Sequence, residues 1–535
     1  MANKHKVLVA DAISQEGIDI LGENLSVAYE PKITAEELLG KIGDFDALLV
    51  RSRTKVPAEV IKQGRKLKVI GRAGVGVDNI DVPAATEAGI VVLNSPEGNT
   101  ASAAEHTLAL LMTLARLLPA ADRSVKEGRW ERERFTGCEL FNKTLAIIGL
   151  GKVGTRVAVA AQSLGMKVVV YDPLITTERA AQLNVQKLPL EEIWPKADFI
   201  TVHAPKTPET SNMIDSVAIS KMKRGVRIIN AARGGIINEI ALAKAIEEGK
   251  VAGAAVDVFE KEPPNGSPLL NLADKVVLTP HLGASTHEAQ FNVAIDLAEQ
   301  IRDYLKTGIA KSPVNLPSMR PEVMKELGGN VWLAEAMGTI AAELNSGNIR
   351  SLEIVAAGRL AAKDNAPLVV AGLRGILSKR IEGVTYVNAQ LIARNNGIQV
   401  RASKSEDTTQ YHDELTVIAS SEQQVSSLSG TILAHNEPLI TKINSYPINL
   451  NPVPMMLFTC HKDRPGMVAK VAGVLQNHDV NISNMSLARV GVRQEAVMVM
   501  GVDDPLGSEI LSELATIDGI NTAHFVSLMR PPQPF

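Results

Sequence analysis

The sequence predicts an α/β protein: two lobes built on parallel sheets, then an α+β domain and a small ferredoxin-like module. Three observations carry this. Short apolar runs alternate with amphipathic helical stretches up to about residue 280. A glycine-rich turn, GLGKVG at 149–154, joins one such run to a helix. From residue 455 the order reads strand, helix, strand, strand, helix, strand.

Size and composition set the bounds. A chain of 535 residues exceeds a single domain and can bury large cores without cross-links. Its 56 Lys and Arg against 59 Asp and Glu leave a net charge of −3, which gives nucleic acid and anionic membranes nothing to grip. Aromatic residues are 3% of the chain, too few for base-stacking platforms. Cys138 and Cys460 lie far apart and form no ligand motif, so no metal site is expected and both read as reduced thiols of a cytoplasmic protein. MANKHKVLVADAIS runs straight into a strand pattern, so no leader is expected, and no apolar run approaches the ~18 residues of a membrane span.

In the first lobe, KVLVA (6–10), ALLV (47–50) and LKVIG (67–71) read as strands buried on both faces, with EGIDILGEN and AEELLGKI as helices between them. A helix over 102–118 follows. Ser102 and Glu105 form its expected capping box, and Pro119 ends its apolar period. The second lobe runs from about 144 to 280 with strands TLAIIG, KVVVY, FITV, VRIIN, GAAVDV and KVVLT. Ser285 and Glu288 form a second expected capping box, opening a helix to about 306. These two helices read as crossings between lobes. Residues 1–99 with 285–315 then make one discontinuous lobe and 100–284 the other, with a cleft between them. SPVNLPSMRP, flanked by Pro313 and Pro317, is a linker to an α+β domain over 318–452; NLNPVP (449–454) leads into the last module, 455–530.

GLGKVG fits the dinucleotide fingerprint in its required setting, after a strand and opening a helix. Gly149 allows the turn and Gly151 lets a pyrophosphate approach the helix N-terminus, where Lys152, Val153 and Gly154 begin the helix. Asp172 ends the next strand, 21 residues after Gly151, where an acid meets the ribose hydroxyls. Pro173, not Arg, follows it, so NAD is favoured over NADP. GRAGVG (71–76) has the wrong spacing for a second such site.

Ligands of open parallel sheets sit beyond the carboxyl ends of the strands. Arg233 follows VRIINAA, Glu262 follows GAAVDVF and His281 follows KVVLTP. Removing a hydride from an alcohol carbon needs a base for the hydroxyl proton, which an imidazole supplies. Glu262 orients that ring, and Arg233 holds a substrate carboxylate in a bidentate fork. Asp257 ends its strand on the side of the nicotinamide amide. His203, in ITVHAP, follows a strand without an acid beside it and reads as structural. In the first lobe Arg51 and Arg72 end two strands facing the cleft; two cations exceed the need of one carboxylate and suit a phosphate monoester.

GLGKVG, NAARGGIINE, DVFEKEP and PHLGAST together resemble the D-isomer-specific 2-hydroxyacid dehydrogenase family, over about residues 1–315. The resemblance implies two Rossmann-like lobes, one for substrate and one for nucleotide, with Arg233, Glu262 and His281 as catalytic set. It implies NAD contacts from Val75, Gly149, Gly151, Lys152, Val153, Gly154, Asp172, Ala204, Ala231, Ala232, Arg233, Asp257, His281, Gly283 and Ala284. Substrate contacts would come from Arg51, Ser52, Arg72, Gly74 and Asn79, and from Arg132 or Arg134 reaching a neighbouring subunit. The whole chain is similar to the long form of the family, with an intervening domain and an ACT domain, so HKDRPG and VNISNM offer His461, Asp463 and Asn481 as contacts for an L-serine effector. The implied reaction is oxidation of D-3-phosphoglycerate to 3-phosphooxypyruvate, the entry to serine synthesis, by a homodimer or homotetramer, with reduction of 2-oxo acids such as 2-oxoglutarate as a side activity. The rival readings are an NAD-sensing corepressor or scaffold, and a glyoxylate or hydroxypyruvate reductase on the same fold.

Overall fold

The computed structural model describes residues 4–316, 319, 321–407 and 411–528. Pro317, Ser318 and Arg320 of the expected linker, residues 408–410 of the expected α+β domain and the final two residues of the 455–530 span lie outside these. The first lobe holds five strands, β1 (Lys6–Val9), β2 (Ser26–Tyr29), β3 (Ala47–Val50), β4 (Val69–Arg72) and β5 (Val91–Asn94). All pair in parallel, in the order β2-β1-β3-β4-β5. ALLV is buried at every position, as a central strand covered on both faces must be. The sequence reading missed β2, a partly exposed edge strand, and β5, whose VVLN follows a helix after a single tight turn.

The second lobe has seven parallel strands: β6 (Thr144–Ile148), β7 (Lys167–Tyr171), β8 (Gln186–Lys187), β9 (Phe199–Val202), β10 (Val226–Asn230), β11 (Val251–Val256) and β12 (Val276–Leu278). Their order is β12-β11-β10-β9-β6-β7-β8. The direction of growth reverses beside β6, so the glycine turn after it sits at the switch point where α/β sheets bind ligands.

The crossing helices are present, but neither starts as expected. The first spans Thr100–Arg116 with Asn99 at its N-cap. Ser102 lies inside it, buried, and its hydroxyl shares a 2.6 Å hydrogen bond with Thr286 Oγ1 on the other crossing. The second helix spans His287–Thr307; Thr286, not Ser285, caps it by accepting the Ala289 amide at 3.1 Å. Both hydroxyls thus tie the two crossings together, a long-range use that a local motif does not reveal. Nor does Pro119 end the helical region. The chain bends at Leu117 (φ 54°), and Pro119 enters the first turn of a new helix, Leu118–Lys126, where its missing amide is not needed.

The returning helix covers the first sheet. A Cβ on Gly17 would stand 3.2 Å from Ala294, so the helices touch backbone to backbone. Gln300 Nε2 donates to the Asn94 carbonyl (3.0 Å), the Val314 amide to the Val92 carbonyl (2.8 Å) and the Val92 amide to Asn315 Oδ1 (2.9 Å).

Beyond the linker, six strands form a mixed sheet: β13 (Ile349–Gly358), β14 (Gln399–Ser405), β15 (Asp413–Ser421), β16 (Val425–Ile432), β17 (Pro438–Ile443) and β18 (Tyr446–Leu450), ordered β14-β13-β15-β16-β17-β18. Thr385 Oγ1 and Asn388 Nδ2 of this domain donate to the Gly89 and Glu87 carbonyls of the first lobe (3.2 and 3.4 Å). The last module has β19 (Met455–Lys462), β20 (Ile482–Arg489), β21 (Glu495–Val502) and β22 (Ile520–Ser527), antiparallel in the order β20-β21-β19-β22. No helix among the described residues is long and apolar enough to cross a membrane, and no described cluster could hold a metal ion.

Candidate active site

The dinucleotide turn divides its work among three glycines. Gly149 has φ 94°, and a side chain there would meet the His203 carbonyl at 2.7 Å. Gly154 packs so closely that a Cβ would stand 2.2 Å from the Gly149 carbonyl. A Cβ on Gly151 would meet nothing within 4 Å. That open space, at the N-cap of the helix Lys152–Ser163, is the room a pyrophosphate requires over the first-turn amides. The residues present therefore fit a dinucleotide. Asp172 Oδ2 accepts the Leu150 amide (2.7 Å) and Oδ1 the Leu174 amide (2.8 Å), which fixes the carboxylate at the end of β7 and leaves each oxygen a lone pair for ribose. Lys152 Nζ pairs with Glu97 Oε1 of the first lobe.

The first lobe and the strand-end loops of the second enclose a cleft of about 1070 Å³. Arg51, Ser52, Arg72, Gly74, Val75, Arg233, Glu262, His281 and Ala284, each singled out in the sequence, line it, and Asn99 and Asp78 add to its wall. His281 Nδ1 and Glu262 Oε2 stand 2.9 Å apart, and Glu262 Oε1 accepts the Phe259 amide at 3.1 Å. The pair is half-exposed to the cleft. A carboxylate on Nδ1 leaves Nε2 as the nitrogen presented to a ligand. Arg233 Nη1 donates to the Ala232 carbonyl (2.7 Å) and Nε pairs with Asp78 Oδ2 across the cleft (3.1 Å).

Three guanidinium groups, of Arg51, Arg72 and Arg233, face one space. Burial first, then the like charge of Arg233, pulls the Arg72 pKa down to about 10; Asp78 opposes this and Arg51 adds to it. Arg72 Nε is buried without a partner, and its guanidinium lies against the Gly74 backbone. Arg51 Nη1 donates to the Ala12 carbonyl (3.0 Å). Cations crowded and desolvated in this way are stabilised by an anion with several oxygens.

Asp257 is fully buried beneath the 279–283 loop. Burial alone would raise its pKa, but hydrogen bonds from His106, Thr279 and the Leu282 amide outweigh that and hold it below the ordinary value. His203 is half-buried with Nε2 3.1 Å from Thr201 Oγ1, and desolvation lowers its pKa to about 4. Asn79 Nδ2 donates to the Arg51 and Thr54 carbonyls (2.7 and 2.6 Å), so it shapes the Arg51 loop from behind. Arg134 is bound within its own chain to Asp274 and Glu131, while Arg132 lies exposed on the same short turn.

The expected effector trio does not gather in one chain. His461 pairs with Ala496 at one end of β21, whereas Asn481 precedes Ile482, whose partner Val502 is at the other end. Six residues of strand separate the ends by about 20 Å. Asp463 Oδ2 instead accepts Arg489 Nη1 (2.8 Å) and the Arg493 amide (3.0 Å), and Asn481 Nδ2 donates to Asp503 (2.7 Å).

His106, Asp78, Glu97 and Asn99 escaped the sequence reading. Only His106 carried a signal: it lies one helical turn beyond Ser102, on the same face.

A dinucleotide turn facing an imidazole–carboxylate pair and an arginine cluster defines an NAD-dependent oxidoreductase. Residues 108–283 match the NAD-binding domain of the D-isomer specific 2-hydroxyacid dehydrogenases, 326–444 the D-3-phosphoglycerate dehydrogenase intervening domain and 455–519 the ACT domain. The chain belongs to the D-isomer specific 2-hydroxyacid dehydrogenase family. It is 47% identical to the D-3-phosphoglycerate dehydrogenase of Synechocystis, covering 98% of this chain and 95% of that one. It is 44% identical to the enzyme of that name from Archaeoglobus fulgidus, over 98% and 100%. Among solved structures, the NAD+-bound 3-phosphoglycerate dehydrogenase of Entamoeba histolytica matches with TM-score 0.50 and 33% identity, covering 58% of this chain and 99% of that one.

Proposed function

We propose that the enzyme oxidises the 2-hydroxyl of D-3-phosphoglycerate to give 3-phosphooxypyruvate, the entry step of serine synthesis. The observation that carries this is the arginine cluster beside the His281–Glu262 pair: one guanidinium serves the carboxylate and two remain for a phosphate. The names of the full-length relatives support the same substrate.

Arg233 holds the carboxylate and polarises the forming carbonyl. Arg51 and Arg72, with Ser52 and the Gly74 backbone, hold the phosphate. His281 Nε2 accepts the hydroxyl proton while Glu262 holds the ring through Nδ1. The Gly149–Gly154 turn, Asp172 and the strand-end residues Ala204, Ala231, Ala232, Asp257, Gly283 and Ala284 would hold NAD+, which would supply the hydride acceptor. Glu97–Lys152 and Arg233–Asp78 link the lobes over the cleft and act to close it on the substrate.

Residues 1–99 with 285–315 form the substrate lobe of this reading and 100–284 the nucleotide lobe. The protein acts in the cytoplasm as a dimer or tetramer. Because His461 and Asp463 lie far from Asn481 within one chain, binding of L-serine would require the His461–Asp463 end of one ACT module and the Asn481 end of another.

The test is the initial rate of NADH formation over a panel of 2-hydroxy acids, with and without a phosphate, for wild type and Arg51→Ala. The expected result is turnover of phosphoglycerate, with kcat/KM falling by about 100-fold in the variant, in line with loss of a charged contact to a phosphate. Equal rates on glycolate or lactate, unchanged in Arg51→Ala, would favour a reductase of unphosphorylated acids.

A further inference from the structure

His281 sits in an unusual backbone conformation. Its φ is 55°, in the left-handed region that a residue with a β-carbon enters at a cost of about 1–2 kcal/mol. Such a conformation persists where the surroundings over-determine it. The surroundings here are one buried side chain. Asp257 Oδ1 accepts the Leu282 amide at 2.7 Å and the Thr279 hydroxyl at 2.6 Å, and Oδ2 accepts the Gly283 amide at 2.9 Å. The Asp257 carbonyl takes the amide of His281 itself at 2.9 Å. One carboxylate thus grips both sides of the imidazole-bearing residue.

What grips the carboxylate is His106, from the crossing helix Thr100–Arg116. Its Nε2 lies 3.1 Å from Asp257 Oδ1 and 3.4 Å from Thr279 Oγ1. The proton count fixes its role. The Thr279 hydroxyl has one hydrogen, already donated to Asp257, so toward His106 it can only accept. The carboxylate can only accept as well. His106 Nε2 therefore carries a hydrogen and donates to both. It is the side-chain donor that reaches this carboxylate from outside its own strand–loop unit, and it stands on the helix whose Ser102 is tied to Thr286 at the start of the other crossing.

We infer that His106 is a positioning residue: by donating to Asp257 it holds the 279–283 loop, and with it His281, in the geometry that aims the imidazole at the substrate hydroxyl. His106 touches neither substrate nor the reacting atoms; it is absent from the residues lining the cleft. This rests on the reading of His281 as the proton acceptor. Loss of the donor leaves a buried carboxylate short of one partner and releases the loop, and the effect falls on turnover rather than on substrate affinity, since Arg51 is held by the Ala12 carbonyl, Arg233 by the Ala232 carbonyl and Asp78, and Arg72 lies against the Gly74 backbone.

The experiment compares full-length His106→Leu, His106→Gln, His106→Asn and His281→Asn with wild type. Measured are kcat and KM for phosphoglycerate, the Kd for NADH by fluorescence, and the melting temperature. His106→Leu should lower kcat by about tenfold or more while KM stays within about threefold, the pattern of a misaimed base. The amide of Gln extends far enough to donate to Asp257, and that of Asn is shorter by one methylene. Gln should therefore restore most of kcat and Asn should not. If His106→Leu fails to fold, the Gln–Asn pair decides alone. Equal kcat in Gln and Asn, or a wild-type kcat in a folded Leu variant, overturns the inference. His281→Asn separates the two claims. If it turns over like wild type, the assignment of the base itself is wrong; if it is inactive while the His106 variants are normal, only the positioning role falls.

Discussion

His203 and His281 both follow strands of one sheet, yet their surroundings give them opposite fates. His281 is held at the cleft by a carboxylate, while His203 is half-buried beside the turn with Thr201 as its hydrogen-bond partner among the described residues. Burial holds the His203 pKa near 4, against an ordinary value of 6.5. The unfolded chain then binds a proton at a pH where the folded chain does not, so stability falls as pH drops from about 6.5 and levels off below about 4. His203→Gln keeps a partner for Thr201 but has no proton to gain. Melting temperatures measured from pH 7.5 to 4 should fall faster for wild type than for the variant; parallel curves would mean that His203 is solvated. The pairing of His281 with Glu262 was legible in the sequence, because the two follow neighbouring strands of the sheet. Asp78 was not, because it acts across elements and its nearness is set by tertiary packing; His106 shares a helix face with Ser102, but its reach to Asp257 is likewise set by packing.

At the scale of elements, the dinucleotide turn was the most legible feature, since each of its glycines answers a different steric demand. The demands predict different outcomes for the same substitution. Gly151→Ala adds a methyl where nothing stands within 4 Å, so the fold should keep its melting temperature; the methyl then occupies ligand space, and the Kd for NADH should rise by about tenfold or more, roughly 1.4 kcal/mol. Gly154→Ala forces a Cβ to 2.2 Å from the Gly149 carbonyl, so it should destabilise the fold by about 1–3 kcal/mol of overpacking before any effect on ligand is read. Fluorescence titration and thermal melts on both variants check this, and an unchanged Kd in Gly151→Ala would move the pyrophosphate elsewhere. Helix starts were less legible. S-x-x-E occurs at both crossings, but Ser102 lies inside its helix and bonds Thr286, and at the second crossing Thr286 rather than Ser285 is the cap.

Across the whole molecule, the alternation of strand and helix revealed the α/β lobes, whereas the contacts of the later domains with the first lobe left no trace in the pattern. The core of the first lobe continues without a break into the α+β domain: Leu297 and Ile301 belong to the same buried cluster as Leu327, Val331 and Leu352. Tyr304 marks the joint. Burial lifts its hydroxyl pKa to about 12, and Arg374 of the α+β domain opposes that shift, so the two domains share one desolvated region. Every residue lining the catalytic cleft nevertheless lies between Ala12 and Val293. A chain ending at Leu316 should therefore retain phosphoglycerate oxidation with kcat of the same order, while uncovering the face around Tyr304 to water. At about 25 cal/mol per Å² of apolar surface, that exposure is worth a few kcal/mol and should lower the melting temperature by several degrees. Any response to L-serine should vanish with the ACT module. Rates, melts and serine titrations on the shortened and full-length chains separate these effects. If the shortened chain binds NADH but does not turn over, the distant domains shape the cleft, and the Thr385 and Asn388 bonds to the Gly89 and Glu87 carbonyls are the contacts through which they would do so.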